Sequence, residues 1–147
     1  MVKGQYNAAV YPASRSKQAA VAFVFLWFFI GGIGHFAFTG AEMRIVPPYI
    51  SWPREAVLIS GVFELLGAVG LLWLASRRAA AIGLFILTLA VTPAHIYMLQ
   101  APELFASVPY WALLLRMPIQ LALLAVIAWV AARPDIHSAP TTRLTVK

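Results

Sequence analysis

The chain has 147 residues, of which 62% are hydrophobic and only 11% charged, and it contains no cysteine. A soluble domain of this size would expose too much apolar surface to water, so the composition indicates a membrane protein. The lack of cysteine excludes disulfides, thiolate catalysis and cysteine-ligated metals within this chain.

Four apolar stretches lie between two polar tails, residues 1–16 and residues 133–147. Each stretch is long enough to cross about 30 Å of hydrocarbon as an α-helix, and the short connections favour antiparallel neighbours. We therefore predict an all-α polytopic membrane protein, an antiparallel four-helix transmembrane bundle in residues 17–132, with spans at about 19–38, 56–75, 79–99 and 110–132.

The net charge of +6 is unevenly distributed. Most Lys and Arg residues lie near the two tails or at Arg77 and Arg78, which we place in the turn between spans two and three. Arg44 and Arg54 lie on the opposite side. Positive residues mark the cytoplasmic side, so both termini are expected in the cytoplasm. The basic excess is then an orientation signal, and we expect a lipid bilayer and no nucleic acid as partner.

The first outer loop, residues 39–55, is unusually apolar for a loop, with Pro47, Tyr49 and Trp52 among its residues. Such side chains avoid bulk water. We expect the loop to lie in the membrane interface or to fold over the mouth of the bundle.

Each predicted span carries one ionisable side chain in its outer half, and these are, in chain order, His35, Glu64, His95 and Arg116. A charge within the hydrocarbon is costly, so each is a candidate site residue. Small residues around Glu64 indicate that it faces another helix, and Arg116 is its one plausible partner of opposite charge. Pro93 and Pro118 free backbone carbonyls beside these groups, which favours a polar chamber.

Structural roles explain the same residues without a site. Glu64 and Arg116 would then form an ion pair that only sets the helix register, and the histidines would contact lipid headgroups. For Thr92 and Gln120 a hydrogen bond between helices is the simpler interpretation. A structural role for any one of these residues is easily explained. It is less expected that all of them face one chamber by chance.

Five short blocks carry these polar residues: Gly31–Phe36, Met43–Ile50, Ile59–Gly67, Pro93–Met98 and Leu115–Gln120. In order and spacing they resemble the DoxX-like family of four-helix integral membrane proteins. The resemblance implies a bacterial-type inner membrane, and it favours redox or quinone chemistry because members of that family are often described as oxidoreductases.

Three functions remain open at this stage. The first is binding of a quinone or other lipophilic small molecule, as a subunit of a membrane redox system whose electrons come from a redox enzyme partner. The second is a stand-alone enzyme or carrier for a hydrophobic substrate, with Glu64 and His95 as acid and base. The third is a scaffold without chemistry. The expected ligand-binding residues are His35, Arg44, Glu64, Thr92, His95, Arg116 and Gln120.

A transition-metal site is a weaker alternative. His35, Glu64 and His95 together offer two imidazoles and a carboxylate, which suit iron or zinc. The three residues lie on different predicted helices, so their spacing in the sequence cannot decide the question.

Overall fold

The computed structural model describes residues 14–132. Six α-helices follow one another along this part of the chain: α1 Arg15–Ala37, α2 Thr39–Glu42, α3 Pro53–Gly70, α4 Leu74–Ala90, α5 Thr92–Gln100 and α6 Tyr110–Ala131. Two 3-10 helices, Met43–Ile45 and Pro102–Phe105, lie in the connections after α2 and after α5. Residues 14–132 contain no strand, and the all-α prediction is confirmed.

Three helical segments are long and apolar enough to cross a membrane, namely Arg15–Ala37, Leu74–Gln100 and Tyr110–Ala131. Their most apolar windows are only 17–28% buried inside the protein, so most of their apolar side chains need a non-aqueous surrounding. Helix α3 has 18 residues and differs from these three because it contains three charged side chains, Arg54, Glu55 and Glu64.

The first helix begins earlier than predicted. Ser14 caps α1, and its Oγ accepts a hydrogen bond from the backbone N–H of Lys17 at 3.3 Å. A serine at this position satisfies one of the free N–H groups of the first turn. Residues 15 and 16, assigned to the N-terminal tail by the sequence, therefore belong to α1. Residues 1–13 of that tail and the C-terminal tail, residues 133–147, lie outside the described residues.

The turn between α3 and α4 lies earlier than predicted, at Leu71–Trp73, and the placement of Arg77 and Arg78 in that turn is wrong. Both arginines belong to the start of α4. The Oγ of Ser76 donates to the carbonyl of Gly70 at 2.8 Å, and the Nε of Arg77 donates to the carbonyl of Leu71 at 2.9 Å. The last carbonyls of a helix lack partners within it, so these side chains of α4 stabilise the end of α3.

The third predicted span consists of two helices, α4 and α5, which are separated at Val91. Pro93 has no N–H and its ring would clash with the carbonyl of Leu89 in a continuous helix. The chain therefore turns at Val91, whose N–H donates to the carbonyl of Leu87 at 3.0 Å. The break lies beside the polar residues of the candidate site.

The long helices contact one another in sequence around the molecule: α1 packs on α3, α3 on α4, α4 on α6, and α6 on α1. We call the end with residues 38–52 and 101–109 the loop end, and the end with Ser14, Leu71–Trp73 and Ala132 the opposite end. The larger core lies toward the opposite end and contains Val24, Leu71, Leu84 and Ile127. A smaller core lies at the loop end around Met98, Phe105 and Leu113.

Candidate functional site

A cavity of about 770 Å³ lies at the loop end. Helices α1, α3 and α6 and the α4–α5 break contribute its walls, which are mostly apolar. At the loop end it is also lined by Glu42, the last residue of α2, and by Ile45, Val46, Pro47 and Ile50 of the connection to α3. Of the two placements expected for this loop, the structure shows the one against the mouth of the bundle. The cavity is the place where the polar side chains of the predicted spans meet.

A histidine between two carboxylates forms one side of the cavity. The Nε2 of His35 lies 3.5 Å from Oε1 of Glu64, and its Nδ1 lies 3.7 Å from Oε2 of Glu42. The side chains of His35 and Glu64 are only 15% and 13% exposed. A protonated His35 would therefore be paired with negative charge on both ring nitrogens, so this cluster can hold and exchange a proton.

Close approach of α1 and α3 brings this cluster together. A Cβ on Gly61 would lie 2.8 Å from the Cβ of His35 and 3.2 Å from the carbonyl oxygen of Gly32. A Cβ on Gly31 would lie 2.9 Å from Oε2 of Glu64. Small residues at a helix interface allow the backbones to approach, and here they leave room for the carboxylate.

Gln120 forms the centre of a second cluster, on the other side of the cavity. Its Nε2 donates to the carbonyl of Thr88 at 3.0 Å and to Oγ1 of Thr92 at 2.6 Å. The Oγ1 of Thr88 donates to the carbonyl of Leu84 at 2.7 Å. Gln120 thus links α6 to both helices at the α4–α5 break, and its Oε1 has no hydrogen-bond partner within residues 14–132.

His95 and Arg116 line the cavity beside Gln120. The Nδ1 of His95 is buried without a hydrogen-bond partner in the described part of the chain. Arg116 likewise forms no ion pair there. A guanidinium and an imidazole are therefore left with donors for another molecule.

The expected ion pair between Glu64 and Arg116 is not formed, and the ionisable neighbour of Glu64 is His35. The two residues line the same cavity from different helices. Their separation follows from the packing, because α3 lies directly against α1. The acid–base role predicted for Glu64 with His95 stays a prediction: both residues line the cavity, and the histidine that lies beside Glu64 is His35.

Five of the seven predicted ligand-binding residues line the cavity, and these are His35, Glu64, His95, Arg116 and Gln120. Thr92 lies behind them and contacts Gln120. Arg44 is exposed and does not line the cavity. Glu42 was not among the predicted site residues, and it faces His35 because α2 turns back after Ala37. Its acidic charge in an apolar loop was the only signal.

The weaker metal hypothesis finds no geometric support. No group of three His, Asp or Glu side chains in residues 14–132 is arranged to hold a metal ion. His95 forms no ion pair with Glu42 or Glu64. Two imidazoles and a carboxylate therefore do not converge on one point.

The profile of DUF8561, a domain of unknown function, matches residues 24–132. The chain belongs to this family. The DUF8561 region begins within α1 and includes every residue that lines the cavity except Phe23. No curated protein and no solved structure matches the chain at a significant level. The chemistry of the cavity is therefore the basis for the function proposed below.

Proposed function

We propose that this protein is a four-helix protein of the bacterial inner membrane that binds a quinone or a similar lipophilic molecule. The binding site is the cavity at the loop end, and the protein acts as a DoxX-like subunit of a membrane redox system. One observation carries the proposal: a single apolar cavity has a proton-exchanging cluster on one side and unpaired donors on the other.

The two sides of the cavity match the two needs of a quinone head. Its carbonyl oxygens require hydrogen-bond donors, which Arg116 and His95 supply. Reduction also requires protons, which the cluster of His35 and Glu64 can deliver. The electrons would come from a redox enzyme partner.

The charges of α3 are compatible with a fourth membrane crossing. Arg54 and Glu55 lie in its first turn at the loop end, where they can reach the interface. Only Glu64 then lies at depth, and it is paired with His35. With α3 as a span, the distribution of Lys and Arg favours both termini in the cytoplasm.

A second candidate function follows from the short distance between His35 and Glu64. An imidazole and a carboxylate 3.5 Å apart can act as a general acid and base on a hydrophobic substrate. The protein would then be an enzyme in its own right. A turnover that does not change in Glu64→Gln would exclude this role.

Quinone content of the purified protein tests the main proposal. Ubiquinone and menaquinone are extracted and quantified from the wild type, from the double variant Glu64→Gln/Arg116→Ala, and from the control Arg54→Ala/Glu55→Gln. The control removes the same charges outside the cavity. We expect stoichiometric quinone in the wild type and the control, and at least about a tenfold loss in the cavity variant, because two charged hydrogen-bonding partners are removed.

Equal quinone content in all three proteins would contradict the proposal. A wild type that carries no quinone, but whose partner enzyme still assembles when His35, His95 and Arg116 are replaced by alanine, would support the scaffold function instead.

A further inference from the structure

The loop end of the molecule is divided into two helix pairs. Helix α1 packs on α3, and α5 packs on α6, with the cavity between the pairs. Toward the opposite end the pairs come together, because Val24 and Phe28 of α1 share one buried core with Leu123 and Ile127 of α6. Helices α1 and α6 are thus joined at one end and separated by the cavity at the other.

The cavity reaches the outer surface between α1 and α6. On α1 its wall consists of large apolar side chains, Phe23, Leu26, Trp27 and Ile30, which are 45–66% exposed. On α6 the facing wall includes Ile119, which is 41% exposed. A side chain that both lines a cavity and remains exposed marks an opening. We call this opening the α1–α6 groove.

The surroundings of the groove define what can occupy it. Its wall on α1 extends from Phe23 to Ile30, which is about 10 Å along a helix, and it contains no charged side chain. Both helices are long and apolar enough to cross a membrane, so the groove faces acyl chains. It is also continuous with the polar cavity.

The cavity has a second opening, which is lined by smaller side chains than the α1–α6 groove. Between α3 and the α4–α5 break the cavity is lined by Ala56, Ser60, Ala90 and Pro93, of which Ala90 and Pro93 are exposed. These small side chains offer little contact area for a hydrocarbon chain. The loop between α2 and α3 covers the end of the cavity, with Pro47 buried. Both sides of the cavity therefore have an opening, and the α1–α6 groove is the one lined by large apolar side chains.

We propose that the ligand is a single-chain amphiphile whose polar head lies in the cavity and whose hydrocarbon chain lies in the α1–α6 groove. The ligand enters from the bilayer by this groove. The inference rests on the proposed function. It adds that the ligand must have a hydrocarbon chain, where that chain lies, and from which side the ligand enters.

Tryptophan substitutions in the groove test the proposal. Ile30→Trp and Ile119→Trp fill the groove from its two walls. Ile33→Trp and Leu121→Trp are matched controls, because both residues are exposed on the same helices, at 48% and 66%, and do not line the cavity. The probes are a benzoquinone with a long alkyl chain and the same ring without the chain, measured with purified protein in nanodiscs.

We expect the groove variants to bind the alkyl quinone at least about tenfold more weakly, the loss that corresponds to two methylene groups without contact. Binding of the ring alone should be unchanged. Both controls should bind both probes as the wild type does. Unchanged binding of the alkyl quinone in the folded groove variants would overturn the proposal.

Photolabelling of the unmodified protein gives a second readout that requires no variant to fold. An alkyl quinone with a diazirine on its chain should label Trp27, Ile30 or Ile119. Binding with labels confined to residues of α3 and α5 would overturn the groove and leave the proposed function intact. A wild type that binds neither probe would overturn both.

Discussion

At the scale of single residues, the position of the Glu64 carboxylate depends on the absence of a side chain at Gly31. Gly31 presents no side chain to Oε2 of Glu64, and the carboxylate occupies that space beside His35. A glycine within a helix costs about 1 kcal/mol relative to alanine. The close approach across α1 and α3 provides a physical reason for having glycine here.

Gly31→Ala therefore tests the cluster without removing any polar group. The new Cβ would lie 2.9 Å from Oε2 of Glu64, so the carboxylate must move. We expect quinone binding to weaken by about three- to tenfold, while the unfolding free energy changes by less than about 1 kcal/mol. Titration of purified protein with the alkyl quinone and unfolding in detergent measure the two effects.

The matched control is Gly34→Ala on the same helix, where an added Cβ meets nothing within 4 Å. It should bind quinone as the wild type does. Equal binding by both variants would mean that the position of the carboxylate is unimportant for the ligand.

At the scale of the helices, the interruption of the third span organises one side of the site. Pro93 ends α4 early, and the chain turns at Val91. Gln120 donates to the carbonyl of Thr88 on one side of this turn and to the hydroxyl of Thr92 on the other. The break thus places His95 at the cavity and anchors α6 to the two short helices around it.

Gln120→Leu tests this link, because leucine has a similar size and cannot donate. We expect the unfolding free energy to fall by about 0.5–2 kcal/mol, the range for hydrogen bonds between membrane helices and for buried groups that lose a partner. Unfolding of purified protein in mixed micelles by a denaturing detergent measures this change.

Gln100→Leu provides the comparison, since Gln100 is exposed at the end of α5. Its effect should remain within about 0.5 kcal/mol. If Gln120→Leu lowers the unfolding free energy by no more than this, the hydrogen bonds of Gln120 do not stabilise the α4–α5 break.

At the scale of the whole molecule, the opposite end is closed and the loop end is open. The larger core joins α1, α3, α4 and α6 at the opposite end, whereas the cavity separates the helix pairs at the loop end. An orientation with the loop end outside would place the cavity in the outer half of the membrane. The predicted orientation would then have the proposed ligand enter from the outer leaflet.

The cysteine-free sequence makes this orientation directly measurable. Ser51→Cys and Ser107→Cys place single thiols on exposed residues of the loop end, and Arg78→Cys places one near the opposite end. A membrane-impermeant maleimide should label the first two in intact cells and the third only after permeabilisation. The reverse pattern would contradict cytoplasmic termini.

Hydropathy and residue spacing were sufficient to predict the helices but imprecise about their ends. Span four was predicted within one residue of α6, because continuous apolar length is a local property of the sequence. The turn at Leu71–Trp73 was misplaced, since Leu71, Leu72 and Trp73 are as apolar as the helices around them. Charge made Arg77 and Arg78 look like turn residues, whereas Arg77 stabilises the end of α3 from within α4.

The DoxX resemblance, the quinone and the redox partner stay predictions, and the family match adds no activity to them. The sequence by itself determined that the chain is helical and apolar enough for a membrane, and that its costly polar groups lie near one end. Only the tertiary structure decided which of them meet. Glu64 lies beside His35 and apart from Arg116 because glycines let α1 approach α3, while the broken third span holds α6 across the cavity. Which polar side chains meet depends on the distances between helices. The residue pattern within a single helix does not specify these distances.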